Sequence, residues 1–80
     1  MGITVRLFAR YAELFGAEHV DVTLSSPATV ADLIAALRKL PGGSALPRAP
    51  FVAVNMARAG ADTTLAGSDE IALLPPLSGG

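Results

Sequence analysis

The sequence predicts an α/β domain in which a mixed sheet, built from two N-terminal strands and the later ones, packs against one main helix. Three observations lead there. Apolar and polar residues alternate over residues 3–7 and again over 19–24, the period of a strand with one buried face. Val30, Leu33, Ile34, Leu37 and Leu40 recur at helical i, i+3, i+4 spacing. The nearly continuous apolar run 51–54 and the strand-like segment 70–74, apolar after Glu70, stand between turn-prone stretches, as strands do.

Taken in order, Ile3, Val5 and Leu7 share one face of the first strand and Thr4 and Arg6 the other, with Phe8-Ala9 as an extension. Tyr11 to Phe15 reads as a short helical turn stopped by Gly16, since a residue without Cβ accepts the left-handed conformation. Leu14 and Phe15 are expected to cover a core edge. Val20, Val22 and Leu24 oppose His19, Asp21 and Thr23 in a second strand, antiparallel to the first. Ser25-Ser26-Pro27 breaks that strand. Thr29 then caps the main helix, with Asp32 favourable near its positive end; Ser26 with Pro27 is the competing cap.

The helix predicted over 29–40 keeps Asp32, Arg38 and Lys39 in water, and Pro41-Gly42-Gly43 stops it. An irregular connection follows to Pro50. The run 51–54 is expected to be a strand buried on both faces, after which Asn55-Met56 opens a weak hairpin. Alanines between Met56 and Ala61 give little strand signal, so the pattern assigns no register there. Thr63-Thr64-Leu65 precede the turn-prone Ala66-Gly67-Ser68-Asp69, and the strand over 70–74 ends the domain, 1–74, just before Pro75. No internal repeat is present.

Eighty residues, 51% hydrophobic and 16% charged with a formal charge of -1, suit one soluble domain with little room for an enclosed active site. The absence of cysteine excludes disulfides, a thiolate metal site and a cysteine nucleophile, and leaves the cytoplasm as the default compartment. Six Lys plus Arg against seven Asp plus Glu, with no Trp, argue against a nucleic-acid groove. No apolar run approaches the roughly 20 residues that cross a bilayer, and the start lacks the pattern of a signal peptide. Arg6 stands where a myristoylation signal wants Ser or Thr. His19 is isolated and reads as an exposed strand residue rather than a metal ligand; Asp69 and Glu70 would point to opposite faces of a strand. The isolated chain is therefore expected to have no metal site, no cofactor site and no catalysis of its own.

The distinctive segment is the tail, 75–80. Pro75 and Pro76 stop sheet pairing and favour an extended backbone, and Leu77, Ser78, Gly79 and Gly80 carry it to a narrow end. Extended at ~3.3 Å per residue, six residues reach about 20 Å, enough to enter a cleft in another protein. A free carboxylate is a poor electrophile, but joining it to AMP supplies a leaving group and permits acyl substitution.

Val5-Arg-Leu-Phe-Ala-Arg-Tyr-Ala-Glu-Leu-Phe-Gly16, Thr29-Val-Ala-Asp-Leu33, Val54-Asn55, Asp69-Glu70-Ile71-Ala72 and above all Pro75-Pro76-Leu77-Ser78-Gly79-Gly80 resemble the MoaD family, the small sulfur-carrying subunit of molybdopterin synthase, within the ubiquitin-like β-grasp proteins. One departure is local: the family commonly has Gly immediately before the Asp-Glu pair, where this chain has Ser68.

The resemblance implies a β-grasp fold and a cycle of sulfur delivery. A ubiquitin-activating-like adenylyltransferase uses ATP to activate the Gly80 carboxylate, and a sulfur-transfer protein converts it to a thiocarboxylate. The charged tail enters the large synthase subunit, where sulfur passes to a cyclic pyranopterin monophosphate. On this view Gly80 carries the sulfur, while Pro75, Pro76, Leu77, Ser78 and Gly79 form the partner-binding tail. Two other readings use the same ending: a sulfur carrier for thiazole or another metabolite, and a ubiquitin-like protein modifier.

Overall fold

Alternation in β1 (Gly2–Leu7) buries Ile3, Val5 and Leu7 and exposes Thr4 and Arg6, as one covered face requires. The computed structural model of the chain describes residues 1–47 and 50–75. β1 does not extend through Phe8 and Ala9. Ala9 has a φ of 53°, outside the strand region, and turns the chain into α1 (Arg10–Phe15). α1 ends as its glycine predicts: Gly16 is left-handed, with a φ of 71°, and its N–H donates to the Ala12 carbonyl. Leu14 and Phe15 do pack at the core margin, but Tyr11 is the residue that α1 buries.

β2 (His19–Thr23) runs antiparallel to β1, from Thr23 opposite Gly2 to His19 opposite Arg6. It stops one residue before the expected Leu24, which still packs on the core. The next element, β3 (Ala28–Thr29), pairs with β6 (Thr64–Leu65) in a small separate sheet. Two residues are too few to display a period, so the sequence gives no sign of either strand.

Thr29 is the cap of α2 (Val30–Arg38), and Ser26 is not. The Thr29 hydroxyl accepts from the Asp32 N–H at 3.3 Å, while the Asp32 carboxylate accepts from the Thr29 N–H at 2.9 Å. This reciprocal pair satisfies two helix-end donors. Val30, Leu33, Ile34 and Leu37 are buried, and the helix ends short of the expected Leu40. Arg38 is exposed but not idle: its guanidinium donates to the Leu46 carbonyl at 2.6 Å. The connection after α2 is correspondingly ordered where described, with a 3-10 turn at Gly43–Ala45 and with Gly43 and Leu46 buried.

β4 (Phe51–Val54), β5 (Ala57–Ala59) and β7 (Ile71–Leu74) complete a five-stranded sheet of order β2-β1-β7-β4-β5. β7 is parallel to β1 and antiparallel to β4. Val52 and Ala53, on opposite faces of β4, are both buried, as expected of an interior strand. The inner face of the sheet sets Ile3, Val5, Val52, Ile71 and Leu73 against Leu33, Ile34 and Leu37 of α2 in one continuous core. Each such side chain, fully buried, is worth about 1.5–3 kcal/mol. This mixed sheet gripping one helix is the ubiquitin-like β-grasp fold.

Candidate functional site at the root of the tail

The tail leaves from the centre of the sheet. β7 lies between β1 and β4, so its end is held from both sides: Leu74 pairs with Phe51 across β4, and the Phe8 N–H donates to the Leu73 carbonyl at 3.3 Å. Pro75 is half-buried and outside the strand, consistent with a residue that cannot donate to the ladder. Of the predicted site residues, Pro75 alone is described; Pro76, Leu77, Ser78, Gly79 and Gly80 lie outside the described residues.

The opposite end of β7 is fixed by a link that sequence reading missed. Asn55 and Met56 have φ values of 52° and 69°, so β4 and β5 join through a two-residue turn with both central residues left-handed. The Asn55 amide then spans to the start of β7. Its Nδ2 donates to Asp69 at 2.9 Å, and its Oδ1 accepts from the Glu70 N–H at 2.9 Å. Asp69 also accepts from the Ala66 N–H at 2.8 Å, closing the preceding turn. Ser68 fits that turn without a positive φ, so the missing family glycine costs no strain there. Asp69 is thus the anchor of a hydrogen-bonded clasp. The available signal was Asn at the first position of a two-residue turn; what the linear sequence lacked was its partner 14 residues away.

Hydrogen bonds to the charged form, first from the Ala66 backbone and then from Asn55, hold the Asp69 carboxyl below its ordinary range. A lowered folded-state value stabilises the protein above the unfolded aspartate value of about 3.9 and loses that contribution as pH falls through the folded one. Asp69→Asn should therefore melt below the wild type at pH 6, and the difference should shrink towards pH 3. Thermal melts of both proteins across that range check it; a constant gap would show that the clasp does not depend on ionised Asp69.

His19 is exposed on β2, and among the described residues no group of three potential ligands could hold a metal ion. No described helix is long and apolar enough to cross a membrane. Among the described residues, apolar strand ends surround the tail root, and the polar clasp lies at the opposite end of β7.

Comparison with known proteins agrees with this geometry. SAMP1 from Haloferax volcanii is 31% identical, with a TM-score of 0.82 and 100% of both chains covered. A candidate molybdopterin converting factor subunit 1 from Pyrococcus furiosus is 25% identical, with a TM-score of 0.82 over 96% of this chain and 99% of that one. Subunit 1 or 2 of the molybdopterin-converting factor from Helicobacter pylori, solved as a complex of the two, matches at 26% identity and a TM-score of 0.70 over 100% of each chain. Among curated proteins there is no significant match. The profile of the ThiS family matches residues 5–80, which include both the clasp and the Gly79-Gly80 ending. The chain belongs to the ThiS family, the β-grasp group of sulfur carriers and ubiquitin-like modifiers.

Proposed function

We propose that this protein is the small subunit of a molybdopterin synthase: a sulfur carrier whose Gly80 is adenylated, converted to a thiocarboxylate and used as the sulfur donor to a cyclic pyranopterin monophosphate. The observation that carries the reading is the ThiS-family match running through the last residue, on a fold shared with a subunit of a molybdopterin-converting factor. The chemistry balances without a reactive group in the body of the chain. The Gly80 carboxylate attacks the α-phosphorus of ATP and expels pyrophosphate; sulfide from a sulfur-transfer protein then attacks the acyl carbon and expels AMP. A chain without cysteine offers no internal thiol to intercept that carbonyl.

The division of labour follows. This chain binds no cofactor and catalyses nothing alone; ATP is used by the activating partner, and the pterin pocket belongs to the large subunit. Likeness to SAMP1, the small archaeal modifier protein 1 of Haloferax volcanii, supports a second reading as a protein modifier, and the family match leaves room for a different sulfur acceptor, such as a thiazole precursor.

Reconstitution tests the proposal. With an activating adenylyltransferase, ATP and a sulfur source, intact-mass analysis should show replacement of one oxygen by sulfur. The charged protein, given a large synthase subunit and the pyranopterin precursor, should yield the dithiolene product. Charging without pterin conversion moves the role to another acceptor, and isopeptide conjugates on lysines in place of sulfur transfer move it to modification.

A further inference from the structure

β2 is an end strand of the five-stranded sheet, and only one side of its backbone is used. The Met1 amine and the Leu24 N–H each donate to the other's carbonyl at 2.9 Å, and the Leu7 N–H donates to the Glu18 carbonyl at 2.8 Å. With one-to-one register between these points, antiparallel alternation turns the backbone groups of Val20 and Val22 towards β1 and those of His19, Asp21 and Thr23 outward. Among the described residues these outward N–H and C=O groups meet no backbone partner. Lysine, proline and a bulge, the devices that most often blunt an edge, are absent between Glu18 and Leu24. The side chains on the exposed face are ordered by charge. His19 stands opposite Arg6, while Asp21 stands opposite Thr4, whose hydroxyl donates to one carboxylate oxygen at 2.6 Å. Glu18 alternates onto the other face with Val20. This edge is therefore basic at His19 and acidic two residues on.

We infer that the β2 edge pairs with the same edge of a second copy of this chain, antiparallel, about a two-fold axis through Val20. Charge complementarity selects the occupant and the register. Only residues with outward groups bond across the axis, so His19 of each copy faces Asp21 of the other and exchanges both N–H···O bonds with it. Each Asp21 carboxylate then meets the other copy's imidazole, with Arg6 behind it, so the strand is complementary to itself. The two Val20 side chains, half-buried in the single chain, meet on the face towards α2. Glu18 falls at each end of the pairing, opposite Val22. An axis through Asp21 would set the two carboxylates side by side, and one through Val22 would set Asp21 at Thr23 with no charge to meet. The other end strand, β5, is three residues long with Arg58 at its middle, so an antiparallel copy there brings arginine against arginine. The root of the tail, at the end of β7, lies two strands from the β2 edge and is not used by the pairing. One strand pair makes a small interface, so the association is weak and reversible.

This inference does not rest on the carrier reading, and its test involves no sulfur chemistry. The isotope-labelled full chain is diluted from about 1 mM to about 10 μM, a range that brackets weak association, and followed by sedimentation and backbone amide shifts. The mass should rise towards that of a dimer at the top of the range, with concentration-dependent shifts centred on His19, Val20 and Asp21. His19→Pro removes an outward donor and no bond to β1, so it should keep the amide spectrum of the folded domain and remain monomeric. His19→Asp and Asp21→Lys each set like charges across the axis. Each alone should associate at least about tenfold more weakly than the wild type, and their equimolar mixture should recover the association as a heterodimer. A monomer throughout the range, shifts centred elsewhere, dimers that survive His19→Pro, or no recovery in the mixture would each overturn the inference.

Discussion

Removing Gly80 should reduce sulfur transfer by at least about a hundredfold while leaving the melting temperature unchanged. The shortened chain still ends in a glycine carboxylate, so its intrinsic chemistry survives; what changes is reach. One extended residue is about 3.3 Å. Misplacing a reacting atom by as little as 1 Å can cost about a hundredfold when a partner's pocket must bring it to an activated phosphate. The domain should not register the loss, because β7 ends at Leu74, where its pairs to β1 and β4 are already complete. Thiocarboxylate yield by intact mass, measured beside a thermal melt, separates the two effects. Normal charging of the truncated protein would show that the terminal position is not what the partner reads.

Gly43→Ala should destabilise the domain by about 3 kcal/mol or more, a large part of what an 80-residue chain has. A Cβ at Gly43 would sit 1.8 Å from the Leu37 carbonyl oxygen and 2.8 Å from its carbon. Both belong to the backbone of α2, so no rotamer change relieves the clash. Either α2 or the 3-10 turn must move, and Leu37 and Leu46 are both buried beneath them. At about 4–8 °C per kcal/mol for a domain this size, the melting temperature should fall by roughly 12–24 °C. Gly16→Ala is the comparison. Its φ of 71° opposes a side chain but nothing lies within 4 Å of the added carbon, so it should lose only about 1–2 kcal/mol. Because Gly43 has no positive φ, equal losses at the two positions would mean that α2 and the 3-10 turn yield to the added carbon at little cost.

The contrast between those glycines shows where sequence reading stops. Gly16 was legible because it follows a short helical stretch and the helix-ending role of glycine is local. Gly42-Gly43 reads locally as a helix stop too, but α2 already ends at Arg38 with Lys39 as its cap, and the close approach of Gly43 to Leu37 is a contact between elements. The same division holds at Asn55 and Asp69. Each occupies a recognisable turn, yet their hydrogen bond exists only because β4 and β7 pair with Val54 opposite Ile71. Likewise His19 and Asp21 are ordinary exposed strand residues in the sequence; the strand order leaves them on a free edge.

By itself the sequence determined the strands of period two, the capped helix, the strand between turns and the proline-led ending, because periodicity, capping and turn chemistry act over a few neighbouring residues. Only the tertiary structure decided the parallel placement of β7 beside β1, the β3–β6 pair, the clasp at Asn55 and the free edge at β2. Those depend on which distant segments exclude water from one another, and burial on a common core is a property of the assembled sheet and helix that no short window contains.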